Sequence, residues 1–215
     1  MSYKVLIANR GEIALRAMRA CKELNIKTVA VYSTADRDLK HLKFADESVC
    51  IGPASPTLSY LNAAAILSAA ELTEVDGIYP GYGFLAEDPN FAEMCEKSGF
   101  KFIGPSSKTI KNMGDKITAK TLAEDSGIQI VPGYKNDIPE DPEEFKKIAK
   151  EIGYPIMIKA TAGGGGRGMR VVENEDDLIS SAEITMQEAK NAFGNEKIYL
   201  EKFIPNPRLL SSTRI

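Results

Sequence analysis

The sequence has little histidine and cysteine and no excess of basic residues. His41 is the single histidine of the 215 residues, which excludes a histidine-rich metal site and argues against a Cys–His or Ser–His nucleophile. Charged neighbours around His41 predict a solvated short helix without a chemical role. Cys21, Cys50 and Cys95 are odd in number and far apart on apolar faces, which predicts reduced core thiols in a cytoplasmic protein. A net charge of −3 with interspersed signs argues against a nucleic-acid partner.

Long hydrophobic runs are also missing. No apolar segment approaches the length that spans a membrane, so we expect no membrane association. The apolar run at residues 5–8 ends at Asn9 and Arg10 and is too short for a signal peptide. The first turn carries Gly11 alone where a dinucleotide-binding turn has G-x-G-x-x-G, so a conventional nicotinamide or flavin site is not expected.

Hydrophobic periodicity predicts an α/β fold for the first half of the chain. Residues 5–8 and 28–32 have the pattern of buried strands, and they flank a helix over 12–24 with one apolar face. This β–α–β opening predicts a doubly wound, parallel, Rossmann-like sheet. The remaining elements of a first domain, residues 1–113, are strands at 48–51, Gly77–Tyr79 and 101–103, and helices at 61–72, capped by Ser59, and at 89–98.

A glycine loop at residues 80–85 follows the predicted strand Gly77–Tyr79. Open α/β sheets bind ligands at the carboxyl ends of their strands, so this loop is a candidate ligand loop. The alternative is a tight turn with two packed aromatic side chains, Tyr82 and Phe84. Spacing alone slightly favours the turn.

The second half of the chain alternates helical and strand patterns. Lys116 lies in the first turn of a helix capped by Asp115, which is the wrong charge for a helix N-terminus. Such a conflict costs only about 0.3–1 kcal/mol in solvent, but functional sites often carry one. The other predicted elements are strands at 128–131 and 198–203, a helix opened by Asp141 and ended near Gly153, and a helix over 175–193 capped by Asn174.

Residues 155–172 have the pattern of a strand, a glycine loop and a second strand. Lys159 lies in the first, otherwise apolar strand, and an unpaired buried ammonium is costly. Backbone N–H groups in a glycine-rich tip can approach a phosphate closely, so the hairpin is a candidate phosphate clamp. An edge-strand lysine beside a flexible turn is the alternative.

Glu201 and Lys202 interrupt the apolar strand at residues 198–203. They indicate either an edge strand with one solvated face or a wall of the pocket that Lys159 enters.

Several motifs occur in the order in which biotin carboxylases carry them. The segments that resemble this family are 7–14 (IANRGEIA), 41–46, 79–85 (YPGYGFL), 102–105 (FIGP) and 113–116 (MGDK). Residues 158–169 resemble the phosphate-covering loop of the ATP-grasp fold, and several independent motifs are far more specific than one glycine pattern. The resemblance implies a biotin-carboxylase N-terminal domain over 1–113, the first part of an incomplete α+β ATP-grasp domain over 114–204 with a lid hairpin at 155–172, and an atypical tail at 205–215.

The resemblance also implies ATP-binding residues. Lys116 and Lys159 match the phosphate-binding lysines of the family, and Gly165 and Gly166 match loop glycines that close over the nucleotide. The strand that reads the adenine edge through its backbone and carboxylate is matched by Glu201, Lys202, Phe203 and Ile204. No catalytic and no metal-ligating residue is expected within these 215 residues.

The reaction of this family uses ATP and bicarbonate to make carboxyphosphate and then carboxylates N1′ of biotin on a carrier protein. The resemblance therefore implies ATP, Mg²⁺ with ligands outside these residues, and carrier-bound biotin as a substrate. It implies bicarbonate, the biotin carboxyl carrier protein, a carboxyltransferase and, in the full-length form, a second copy in a homodimer as partners. The implied setting is acetyl-CoA carboxylase in fatty acid synthesis, with a pyruvate or other acyl-CoA carboxylase as an alternative.

The sequence departs from the family after Arg208, and Leu209 stands where the family has a nucleotide-binding histidine. The family's Mg²⁺-binding carboxylates, bicarbonate-binding cations and general base come later than the matched part, so we expect these 215 residues alone to be catalytically incomplete. A non-catalytic nucleotide-binding or dimerising fragment is one alternative. A carbamoyl-phosphate or purine-pathway synthetase is another, and residues 9–14 argue against it.

Overall fold

The computed structural model describes residues 3–134, 136, 138–161 and 168–208. These residues form two compact units, Met1–Asp115 and Lys116–Ile215. Within the described ranges, no helix combines the length and the apolar character needed to cross a bilayer.

The first unit is built on a five-stranded sheet whose strands are all parallel, in the order β3-β2-β1-β4-β5. This confirms the predicted doubly wound sheet. The strands are β1 (Lys4–Ile7), β2 (Lys27–Ser33), β3 (Glu47–Gly52), β4 (Gly77–Tyr79) and β5 (Lys101–Phe102), and the helices are α1 (Gly11–Glu23), α2 (Ala63–Leu72), α3 (Pro89–Lys97) and α4 (Ser107–Gly114).

Both faces of this parallel sheet are buried, because successive residues of a strand point to opposite sides. Val5 and Ile7 of β1 pack with Met18 of α1 in one apolar cluster. Leu6 belongs to a larger cluster on the other face, which includes Phe91 of α3. The alternation within β1 therefore places helices on both faces of the sheet.

The second unit is built on a four-stranded antiparallel sheet in the order β6-β9-β7-β8. The pairing of β7 with β8 confirms the hairpin predicted for residues 155–172. The strands are β6 (Gly133–Tyr134), β7 (Ile156–Ala160), β8 (Met169–Val172) and β9 (Ile198–Lys202), and the helices are α5 (Lys116–Asp125), α6 (Pro142–Ile152) and α7 (Leu178–Phe193).

Three predicted helix starts can be compared with the structure. Ser59 does not cap α2: its hydroxyl donates to the Ser55 carbonyl, and Asn62 accepts from the Ala65 N–H instead. Helix α7 begins three residues later than predicted, and Asn174 accepts from the N–H of Asp177. The predicted Asp141 cap is confirmed by its bond from the Glu143 N–H.

Two segments were assigned wrongly from the sequence. Three of the four residues at 128–131 are apolar, but the segment forms no strand, and the short strand β6 begins at Gly133 instead. Helix α4 was not predicted, although Ser106 caps it by accepting from the Thr109 N–H.

Two predictions of solvent exposure were also wrong. His41 lies in a short 3₁₀ helix, Lys40–Phe44, but it is buried with 1% exposure, because one side of that turn faces the core. Cys50 is exposed on the edge strand β3, so it is not a core thiol. Cys95 is buried as predicted, and the three cysteines are free thiols.

Candidate functional site

The antiparallel sheet of the second unit has one apolar and one polar face around strands β7 and β9. Ile156 and Ile158 of β7 and Leu200 of β9 are fully buried in an apolar cluster that includes residues of α6 and α7. Lys159 and Glu201 belong to the opposite face, because they alternate with those core residues along their strands. The sheet therefore presents charged groups on the face that its main core leaves open.

A cluster of one carboxylate and two ammonium groups occupies this polar face. Oε2 of Glu201 contacts Nζ of Lys159, and Oε1 contacts Nζ of Lys120, which extends from α5. The side chain of Glu201 is only 7% exposed, whereas those of Lys120 and Lys159 are 20% and 26% exposed. The two ammonium groups and the one carboxylate leave the cluster with a net charge of +1, so it is suited to binding an anion.

The two lysines control the ionisation of Glu201. Burial alone would raise the pKa of this carboxyl, but the hydrogen bonds and charges of Lys120 and Lys159 outweigh burial and hold the pKa below its usual value. Glu201 is therefore an ionised acceptor at neutral pH. On the same face, burial raises the pKa of Tyr199 to about 12, so its hydroxyl stays protonated.

Lys116, at the start of α5, also reaches this region of the sheet. Its Nζ lies 3.4 Å from the carbonyl oxygen of Ala160, the last residue of β7. The ammonium that is unfavourable for the helix dipole is thus directed toward a backbone acceptor at the end of the hairpin strand.

The other predicted residues of β9 and its extension have different surroundings. Nζ of Lys202 donates to the carbonyls of Gly153 and Tyr154 at 2.8 Å each, at the C-terminal end of α6, where a cation is favoured. The N–H groups of Lys202 and Phe203 donate to carbonyls of Pro132 and Pro155. The side chain of Ile204 is about half exposed. Gly165, Gly166 and the tail residues 209–215 lie outside the described residues.

Sequence reasoning missed Lys120. Lys116 and Lys120 are four residues apart and therefore share one face of α5, a spacing that was available in the sequence. The edge-strand interpretation of residues 198–203 is wrong, because β9 lies between β6 and β7. Strand β7 is likewise not an edge, because it pairs with both β8 and β9.

The glycine loop of the first unit is held by an amide side chain. Nδ2 of Asn9 donates to the carbonyls of Pro80 and Tyr82, both at 2.8 Å. Phe84 stacks on Tyr60 with ring centroids 4.9 Å apart, whereas the side chain of Tyr82 is 65% exposed. Only one of the two aromatic residues is therefore packed as the tight-turn interpretation requires.

A second polar network lies beside this loop. Asp36 accepts from Ser33 Oγ and Tyr60 Oη at 2.7 Å and from an Arg10 nitrogen at 3.0 Å. Although burial would raise the pKa of Asp36, these three donors lower it. The guanidinium of Arg10 also lies 5.1 Å from the Tyr60 ring centroid. This network anchors the turn after β2 rather than leaving reactive groups free.

Across residues 3–134, 136, 138–161 and 168–208, no group of three or more His, Cys, Asp or Glu side chains is arranged to hold a metal ion.

Comparison with known proteins identifies both units. Residues 1–110 match the family model "Biotin carboxylase, N-terminal domain", and residues 115–212 match "Carbamoyl-phosphate synthase L chain, ATP binding domain". Biotin carboxylase of Pseudomonas aeruginosa is 61% identical over 97% of this chain. The chain covers 46% of that relative, so it spans about half the length of the curated proteins it matches.

Solved structures give the same result. A biotin carboxylase–β,γ-ATP complex from Campylobacter jejuni is 52% identical, with a TM-score of 0.87 over 97% of this chain and 46% of its own. The biotin carboxylase domain dimer of Hydrogenobacter thermophilus 2-oxoglutarate carboxylase, in complex with MgADP, ADP and bicarbonate, is 50% identical, with a TM-score of 0.83 over 96% of this chain and 45% of its own. The fold, the ordered motifs and these matches together show that the chain belongs to the biotin carboxylase family.

Proposed function

We propose that this chain binds ATP on the polar face of its antiparallel sheet, as the nucleotide-binding part of a biotin carboxylase. The observation that carries the proposal is the contact of both Lys159 and Lys120 with the buried carboxylate of Glu201. Two cations around one acid leave a positive charge for a phosphate chain, and Lys116 supplies another ammonium at the end of β7. The ATP complex of the Campylobacter jejuni relative supports the choice of ligand.

Each proposed residue has a chemical task. Lys116 and Lys159 offset the negative charge that spreads over the phosphate oxygens during phosphoryl transfer. Glu201, kept ionised by its neighbours, accepts a hydrogen bond from the exocyclic amine of adenine. The N–H groups of Lys202 and Phe203 are already donated within the unit. Backbone recognition of the base therefore falls to other groups of this segment, and we assign it to Ile204.

Gly165 and Gly166 are proposed to close over the phosphates, as their glycine-rich sequence and the family resemblance indicate. Their closure would keep water away from a labile phosphorylated intermediate. This part of the proposal rests on the sequence and on family membership.

For the protein as a whole we propose the family reaction, in which ATP and bicarbonate form carboxyphosphate and the carboxyl group passes to biotin on a carrier protein. The MgADP and bicarbonate complex of the Hydrogenobacter thermophilus domain dimer supports Mg²⁺, bicarbonate and a homodimer. A carrier protein, a carboxyltransferase, a cytoplasmic location and a role in fatty acid synthesis belong to the same proposal. Because relatives include a 2-oxoglutarate carboxylase domain and a pyruvate carboxylase subunit, a pyruvate or other acyl-CoA carboxylase is the alternative setting.

Turnover by these 215 residues alone is not expected, because they match only 46% of the length of the Pseudomonas aeruginosa relative. Nucleotide binding without turnover is therefore the activity proposed for the isolated chain. Two results together would show this activity: the isolated chain binds ATP saturably, and it releases no ADP when bicarbonate and biotin are added.

The test is calorimetric titration of the 215-residue chain with ATP, with and without Mg²⁺. We expect saturable binding, weakened roughly 10- to 100-fold by Lys159→Met, because a hydrogen bond to a charged group contributes about 1.5–3 kcal/mol. Lys190→Met removes an exposed lysine paired with Glu196 elsewhere in the unit and should leave the affinity unchanged. Absence of saturable binding by the wild-type chain would refute the proposal.

A further inference from the structure

The two carboxylate oxygens of Glu201 contact two different cations. One oxygen contacts Lys120 and the other contacts Lys159, so each lysine has a separate acceptor atom. A buried carboxylate that loses its partner is strongly disfavoured. One of these lysines can therefore change partner at modest cost only if the other remains.

The surroundings of the two lysines are different. Nζ of Lys120 also lies 5.7 Å from the ring centroid of Tyr199, a residue that is 5% exposed, and this contact gives it a second favourable interaction. Lys159 lies next to Ala160, whose carbonyl is approached by Lys116. An anion that enters at this end of β7 meets Lys159 and Lys116, while Lys120 stays between the Tyr199 ring and Glu201.

We propose that Lys120 is a positioning residue that keeps Glu201 ionised and correctly oriented when Lys159 turns toward the phosphates of the nucleotide. The inference rests on the proposed ATP-binding function and adds a residue to it. Lys120 does not itself touch the nucleotide. It acts through Glu201, which remains available as an acceptor for the base because its second oxygen keeps a cation.

The experiment measures the Glu201 carboxyl by ¹³C NMR during a pH titration of the full chain, first without any ligand. Lys159→Met imitates the departure of Lys159, and there Lys120 should keep the carboxyl ionised at neutral pH. Lys120→Met in the same background should raise the pKa of Glu201 above its usual value, because the buried acid then has no cation. Lys120→Arg in that background should restore ionisation, which a purely space-filling role would not do.

If the double variant fails to fold, the single variants decide: Lys120→Met must raise the pKa of Glu201 more than Lys159→Met does. An equal or smaller rise overturns the proposal. Calorimetric titration with ATP separates the two claims. Absence of saturable ATP binding would refute nucleotide binding, whereas the ligand-free pH titrations would still decide whether Lys120 holds Glu201. Lys190→Met is the matched control and should leave the Glu201 signal unchanged.

Discussion

Lys159 and Glu201 are diagonal neighbours across the antiparallel pair of strands β7 and β9. Lys159 pairs directly with Tyr199, and Glu201 pairs directly with Met157, so the two charged residues are offset by one pair on the same face. Diagonal neighbours in a sheet are within reach of long side chains. The contact is thus a product of strand register, and a slip of β9 by one residue would move Glu201 to the opposite face.

This contact makes the second unit sensitive to acid. The folded-state pKa of Glu201 is lower than its ordinary value of 4.5, so its stabilising contribution is present above that value and is lost as the pH falls below it. We expect Glu201→Gln to remove this acid dependence and to cost about 2 kcal/mol at neutral pH, because two partly buried lysines lose their countercharge and one of them also loses its acceptor. Hydrogen exchange of the β9 amides between pH 3 and 7 measures both effects.

The matched control for that measurement is Glu188→Gln. Glu188 is paired with Arg170 on the surface of the same unit, so its loss should change stability by less than about 1 kcal/mol. An acid dependence that persists unchanged in Glu201→Gln would contradict the assignment of the titrating group.

Asp36 should be important for the stability of the first unit. It accepts hydrogen bonds from Ser33, Tyr60 and Arg10, so Asp36→Ala leaves buried donors unsatisfied and should cost about 3 kcal/mol. Asp38→Ala changes an exposed residue of the same type two positions later and should stay within about 0.5 kcal/mol. Urea denaturation compares the two variants, and equal destabilisation would be inconsistent with this network.

Gly52 occupies a position that excludes any side chain. Its φ is +144°, and a Cβ atom there would lie 2.2 Å from the carbonyl oxygen of Leu58. Because that obstacle is backbone, Gly52→Ala should destabilise the first unit by at least about 2 kcal/mol. Gly114→Ala, at a helical site with nothing within 4 Å of the added atom, should be neutral or stabilising by up to about 1 kcal/mol. Thermal unfolding of both variants tests the contrast, which would be wrong if Gly52→Ala melted like the wild type.

The three thiols should react in an order set by their exposure. Cys50 is exposed, whereas burial raises the pKa of the Cys95 thiol to about 12 and also raises that of Cys21. Since the thiolate is the reactive form, iodoacetamide at pH 8 should modify Cys50 first and Cys95 only after unfolding. Peptide mass spectrometry at timed intervals measures the order. Modification of Cys95 at the rate of Cys50 in the folded chain would disprove it.

Local sequence patterns were sufficient to predict an element where a single force determines its structure. The continuous apolar run in β1 and the apolar face of α1 led to the prediction of the parallel sheet, because a strand buried on both sides admits few other arrangements. They failed where competing interactions decide. Ser59 and Asn62 are both good caps, and only the turn at Pro56–Leu58, which gives the Ser59 hydroxyl another acceptor, selects Asn62.

The candidate site shows the same division. Lys159 was identified because a charge in an apolar strand needs an explanation, and Glu201 because it interrupts another apolar strand. Lys120 lies in a polar helix where one more lysine is unremarkable, and its importance depends on the packing of α5 side chains near β9. The exposure of His41 was predicted wrongly for the opposite reason. Its charged neighbours indicated a solvated helix, but its ring is turned into the core.

The amide of Asn9 has a consequence for where ligands can bind in the first unit. In doubly wound sheets, the crevice at the point where the strand order reverses is the usual ligand position, and here that point lies between β1 and β4. Asn9 follows β1 and spans to the loop after β4 with two short hydrogen bonds. Any molecule entering this crevice must compete with both bonds, so the first unit holds its own side chain at the position where related sheets admit a ligand.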